Sequence, residues 1–94
     1  MPDVLRDTLV SADYLAAKVT QGWLVEAEED ANRIIDEFCK YYSRRGEQEM
    51  AGAFKFLEQE LMERSLESSR TAPSRSKFYY QVYLLVRNRR QVGG

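Results

Sequence analysis

Few of the side chains that enzymes recruit for chemistry occur in this sequence. None of its 94 residues is a histidine. That removes the commonest general base, every Ser–His and Cys–His nucleophile pair, and the usual zinc and di-iron ligand sets. Carboxylates remain: Glu26, Glu29 and Asp30 recur at helical i, i+3 and i+4 spacing, where they could hold a hard cation. No second acidic patch with matching turn geometry accompanies them, so a solvated acidic helix face is the simpler reading. The five glycines (Gly22, Gly46, Gly52, Gly93 and Gly94) build no phosphate-cradling loop. Cys39 lies between Phe38 and Lys40 with nothing to activate it, and reads as a packed thiol. The expectation is a protein that is not an enzyme, with no cofactor and no metal.

The chemistry of contact is better represented. Aromatic and basic residues interleave twice, as Lys40-Tyr41-Tyr42-Ser43-Arg44-Arg45 and as Lys77-Phe78-Tyr79-Tyr80 leading to Arg87, Arg89 and Arg90. Stacking faces beside arginines suit single-stranded nucleic acid or a nucleotide. Both groups also sit where helix ends are expected, and there cations complement the dipole while tyrosines straddle core and water. Lys40, Arg44, Arg45, Arg75 and Lys77 are candidate anion-binding residues on this reading. Phe56 stands off the apolar stripe of its segment among Glu49, Glu60 and Glu63. An aromatic ringed by charge is the composition of a contact anchor with a polar rim, although a singly exposed aromatic needs no special role.

The net charge of −1 conceals an asymmetry. Residues 1–69 carry all 15 acids against eight bases, a balance of −7, whereas residues 70–94 carry +6 and no acid. Arginines outnumber lysines ten to four, which favours planar, bidentate contacts over diffuse charge. The basic end therefore needs a negative surface: the acidic helices of its own chain, a second copy, an acidic protein or phosphate.

These residues must be positioned by helices. From Leu5 through Leu9, Ala12, Ala16 and Val19 to Trp23, apolar residues step by three and four. The stripe resumes, one position out of phase, at Leu24, Ala27, Ala31, Ile34, Phe38 and Tyr41. Pro2 and Asp3 suit a first helical turn. The spacing predicts either one long helix from Ser11 to Arg45, N-capped by Ser11 after a short turn over 3–10, or two helices meeting near Thr20-Gln21-Gly22. A lone glycine costs a helix only about 1 kcal/mol, which favours the long one, with room for a bend or break at that point. Gly46 suits a helix C-cap after Arg44 and Arg45. A second, antiparallel helix runs from Glu47 to about Ser68 on Met50, Phe54, Leu57 and Leu61, with Ala53 alongside. Residues 68–77 read as a linker in which Pro73 stops the preceding helix and Ser74 or Ser76 caps the next.

The last segment, about 77–90, is a shorter, basic and aromatic helix. Phe78 to Val86 prefers strand intrinsically, yet nothing else in the chain offers a strand partner; an intermolecular sheet is the competitor. As a helix it is apolar nearly all round, so it is buried on more than one side, either in a groove between two longer helices or against a second subunit.

Length, 44% hydrophobic residues and 31% charged residues fit one globular domain over 1–94, an all-α bundle. No stretch approaches the roughly twenty apolar residues of a membrane helix. The amino terminus lacks the features of a secretory leader, and a lone cysteine fits a reducing, cytoplasmic setting. The expected function is protein binding, as an adaptor, inhibitor or small subunit that self-associates. Its anchors would be Phe56, Tyr79, Tyr80 and Tyr83, with Arg87, Arg89 and Arg90 for an acidic surface. The alternative is a helical nucleic-acid- or nucleotide-binding subunit gripping with the arginine-rich end.

Overall fold

A computed structural model describes residues 3–20 and 24–93, nearly all of them in four α-helices: α1 (Asp3–Thr20), α2 (Leu24–Ser43), α3 (Glu47–Ser68) and α4 (Pro73–Gly93). Pro2, Gln21, Gly22 and Trp23, and the side chains of Asp3, Leu24 and Glu26, on all of which expectations were placed, lie outside the described residues.

The helical periodicity of the sequence becomes one shared core. Leu5, Leu9, Ala12, Leu15, Ala16 and Val19 of α1 are buried, as are Ala27, Ala31, Ile35, Phe38 and Tyr42 of α2. Ala53, Phe54, Leu57 and Leu61 come from α3, and Phe78, Tyr79, Val82 and Val86 from α4. Phe38 packs edge-on against Phe54, with ring centroids 5.4 Å apart, and tilts against Tyr42 at 4.9 Å. The buried face of α2 is rotated slightly from the expected one. Ile35 and Tyr42 are enclosed, while Ile34 and Tyr41 sit at the edge, because a stripe with two adjacent isoleucines and two adjacent tyrosines does not determine its own phase.

Three expectations need correction. The long first helix is two helices, and Ser11 lies inside α1 rather than capping a later one. A continuous rod from Asp3 to Ser43 would be about 60 Å long at 1.5 Å per residue, whereas the molecule's greatest extent is 37 Å. Laying α1 against α2 lets two apolar stripes that would lie end to end along a single rod face each other and leave water. The linker is also shorter than composition suggested. Proline at a first helical position forfeits no hydrogen bond, so α4 begins at Pro73, and the Ser76 amide already donates to the Ala72 carbonyl (3.0 Å). With 21 residues, α4 is longer than α1 and α2 and one residue short of α3, not the shorter helix expected. The Phe78–Val86 segment is helical throughout, which removes the strand alternative.

Gly46 joins α2 to α3 with φ +106°, a backbone region that side chains disfavour. Acids at Glu47 and Glu49 follow it into the first turn of α3, where they complement the dipole. The pairing of α3 with α4 fixes the surface discussed below. The Ser65 hydroxyl donates to the Ser76 carbonyl (3.0 Å) and the Ser76 hydroxyl to the Ser65 carbonyl (2.6 Å). At the other end Arg90 Nε meets Glu58 (3.1 Å), so the two helices run in opposite directions.

Candidate functional site

The carboxy-terminal helix divides its side chains among three destinations. Phe78, Tyr79, Val82 and Val86 enter the core. Arg89 and Arg90 turn sideways to the protein's own acids: Arg89 pairs with Asp36 of α2, and Arg90 with Glu58 of α3, which is only 8% exposed. The third set faces water: Lys77, Tyr80 (46% exposed), Leu84 (38%) and Arg87, a single stripe at steps of three, four and three. Tyr83 lies half-buried beside it, its ring stacked on Tyr80 with centroids 5.8 Å apart.

Across from Tyr83, an open groove of about 640 Å³ runs between α3 and α4, lined by Lys55, Glu58, Gln59, Met62, Tyr83 and Arg90 among others. One turn beyond Met62 on the same side of α3 stands Leu66, the most exposed large apolar side chain of the described residues at 67%. Met62 and Tyr83 share the groove, Tyr80 stacks on Tyr83, and Leu66 and Leu84 follow Met62 and Tyr80 one turn along their helices, giving the α3–α4 pair an apolar outer face with Lys55, Lys77 and Arg87 among its exposed cations. Apolar patches rimmed by charge mark interaction surfaces more often than isolated apolar residues do.

The expected site residues are only partly brought together. Tyr80, Tyr83 and Arg87 share the outer face. Tyr79 does not: it is 5% exposed, and its hydroxyl donates to Asp13 Oδ1 at 2.5 Å. Burial, reinforced by that carboxylate, pushes the Tyr79 hydroxyl well above the usual tyrosine range. Arg64 Nε donates to the same oxygen (3.0 Å) and its Nη1 reaches Glu60 at 3.5 Å. Burial works against the Arg64 charge, yet the two acids outweigh it and hold the guanidinium more firmly protonated. Arg89 and Arg90 close the bundle rather than extend from it. Phe56 is half-buried on the opposite flank of α3, beside Leu5, Tyr42 and Ala53, away from the tyrosines.

The candidate anion-binding residues also separate. Lys40, Arg44 and Arg45 lie at the α2–α3 turn, where Arg45 pairs with Glu49 (3.2 Å) and stacks over the Tyr41 ring. Arg75 and Lys77 lie at the start of α4, about 20 Å along that helix from the Arg89 turn that adjoins α2. Arg75 lines a second open groove, shared with Asp13, Glu60, Glu63, Arg64 and Glu67, whose carboxylates outnumber its arginines. Sequence pairs Leu84 with Tyr80 on one side of the last helix but points to neither Met62 nor Leu66, whose place beside it depends on the pairing register of α3 and α4.

Nothing in this arrangement resembles an activated nucleophile. Burial pushes the Cys39 thiol up, away from the reactive thiolate, and Asp36 adds to the rise against the opposing influence of Arg89. Among the described residues no three acidic or cysteine side chains converge where a metal ion could sit. An apolar void in the core, lined by Ala12, Leu15, Ala31, Leu57 and Val82 among others, amounts to about 10 Å³, the volume of one water at most. No described helix is long and apolar enough to cross a membrane. Comparison with protein-family models, curated proteins and solved structures finds no match to this chain.

Proposed function

We propose that the chain is a non-enzymatic protein-binding module, an adaptor, inhibitor or small subunit of an assembly, whose contact surface is the outer face of α3 and α4. A single observation carries the reading: α4 buries one full face in the core and still presents Leu84 and Tyr80, the latter stacked on Tyr83, to water on the other, bordered by cations. An aromatic anchor with rigid neighbours and a charged rim is the composition from which binding hot spots are built. A reducing, cytoplasmic setting suits the unpaired Cys39.

Self-association was expected because α4 looked too apolar for a small bundle to enclose. A four-helix bundle encloses most of it, so that expectation now rests on the outer stripe alone. Nucleic-acid binding is the weaker alternative, because Arg89, Arg90 and Arg45 spend their charge on Asp36, Glu58 and Glu49.

Affinity purification from the native host with nuclease treatment, comparing the wild-type chain with Leu84→Asp, tests the reading. The expected result is a protein retained by the wild type after nuclease and lost by the variant at unchanged helicity. Retention by both, or a partner released by nuclease and falling steeply and log-linearly with salt, contradicts it.

A further inference from the structure

We infer that the outer face of α3 and α4 seats an acidic amphipathic helix belonging to a partner protein. This rests on the protein-binding reading above and adds the chemistry of what is bound. The shape is that of helix-in-groove recognition, in which an apolar stripe lies along a shallow trough and its flanking charges meet the rim. From Lys77 to Arg87 the stripe measures about 15 Å, some three turns of an occupying helix. The groove between Met62 and Tyr83 takes that helix's apolar residues, with Leu66, Tyr80 and Leu84 extending the contact.

Charge selects the occupant. α4 contains no acidic residue, and the exposed charges along its outer stripe, Lys77 and Arg87, together with Lys55 at the groove, are cations. The acids of α3 other than Glu58 stand away from the groove. Glu58 is buried against Arg90, and Glu60, Glu63 and Glu67 line the groove on the other flank of α3, towards α1. The face therefore offers an apolar centre and an unbalanced positive rim, which glutamates or aspartates flanking a partner's leucines would complement.

The same charges discourage a second copy. Two α4 helices related by a twofold axis and packed antiparallel through this stripe place Lys77 of one against Arg87 of the other at both ends; packed parallel, each cation meets its own twin. Like charges oppose either arrangement.

The test uses the full chain and two synthetic helical peptides with the same leucine pattern, one flanked by glutamates and the other by lysines. Titration calorimetry is expected to show the glutamate peptide binding about tenfold or more tightly than the lysine peptide. Lys77→Glu with Arg87→Glu should invert the order, and Leu84→Asp should abolish both at unchanged helicity. Equal affinities, both lost in Leu84→Asp, overturn the acidic partner while leaving protein binding at this face intact. Binding that survives Leu84→Asp, or no binding of either peptide, overturns the proposed seat, and the host purification above then judges the broader reading separately. A concentration-dependent dimer that Leu84→Asp dissociates assigns the face to a second copy, and displacement of the glutamate peptide by oligothymidylate assigns it to nucleic acid. Either result overturns the inference.

Discussion

Tyr79, Asp13 and Arg64 tie three helices through one carboxylate oxygen. Removing the hydroxyl with Tyr79→Phe keeps the ring in the core and deletes a hydrogen bond to a charged acceptor, so chemical denaturation should report a loss of about 1.5–3 kcal/mol. The pH dependence carries the same signature. The folded state holds the Tyr79 proton more tightly than the unfolded chain does. Its contribution is therefore fully present below about pH 10, the ordinary tyrosine range, and is lost as pH rises above it. In Tyr79→Phe the decline in stability above pH 10 should be shallower than in the wild type, and an unchanged slope would refute the assignment. Sequence alone placed Tyr79 on the contact surface because four aromatic or apolar residues surround it, and adjacent positions on such a helix differ only in phase. Its partner, Asp13, lies 66 residues away, beyond the reach of any local pattern. The core residues were more legible. Phe38→Ala should cost about 3–5 kcal/mol and Leu57→Ala about 2–5 kcal/mol, since both are nearly inaccessible. Losses below about 1 kcal/mol at both would show that α2 and α3 do not share this core.

At the scale of the element, the basic cluster of α4 divides between holding the helix down and facing outward. Arg90→Ala leaves the buried carboxylate of Glu58 without its cation, so unfolding should report a loss of about 1–3 kcal/mol. Arg87→Ala changes an exposed side chain and should stay within about 0.5 kcal/mol, while weakening partner binding. Equal effects on stability from the two substitutions would contradict this division. Arginines three residues apart in sequence look alike in composition; only the neighbouring helices separate their roles. The same limit accounts for α1 and α2. Their stripes were visible, but the choice between one rod and two packed helices depended on long-range burial, which the local cost of a glycine does not express. Pro73 misled for a different reason: a residue that ends one helix can equally begin the next.

The whole molecule is a bundle whose charge separation is resolved within itself only in part. Arg89 and Arg90, two of the six cations of residues 70–94, answer Asp36 and Glu58, so the opposed charges of the two ends of the chain serve in part to assemble the fold. What is left over is an apolar stripe with a cationic border, and the functional account rests on it. The most direct test places a photo-crosslinking amino acid at position 84 in the native host, with position 10, an exposed valine on α1, as the control. The account predicts a discrete crosslink to a protein from position 84, resistant to nuclease and absent from position 10. No crosslink at 84, the same adducts from both positions, or an adduct that nuclease removes would contradict it.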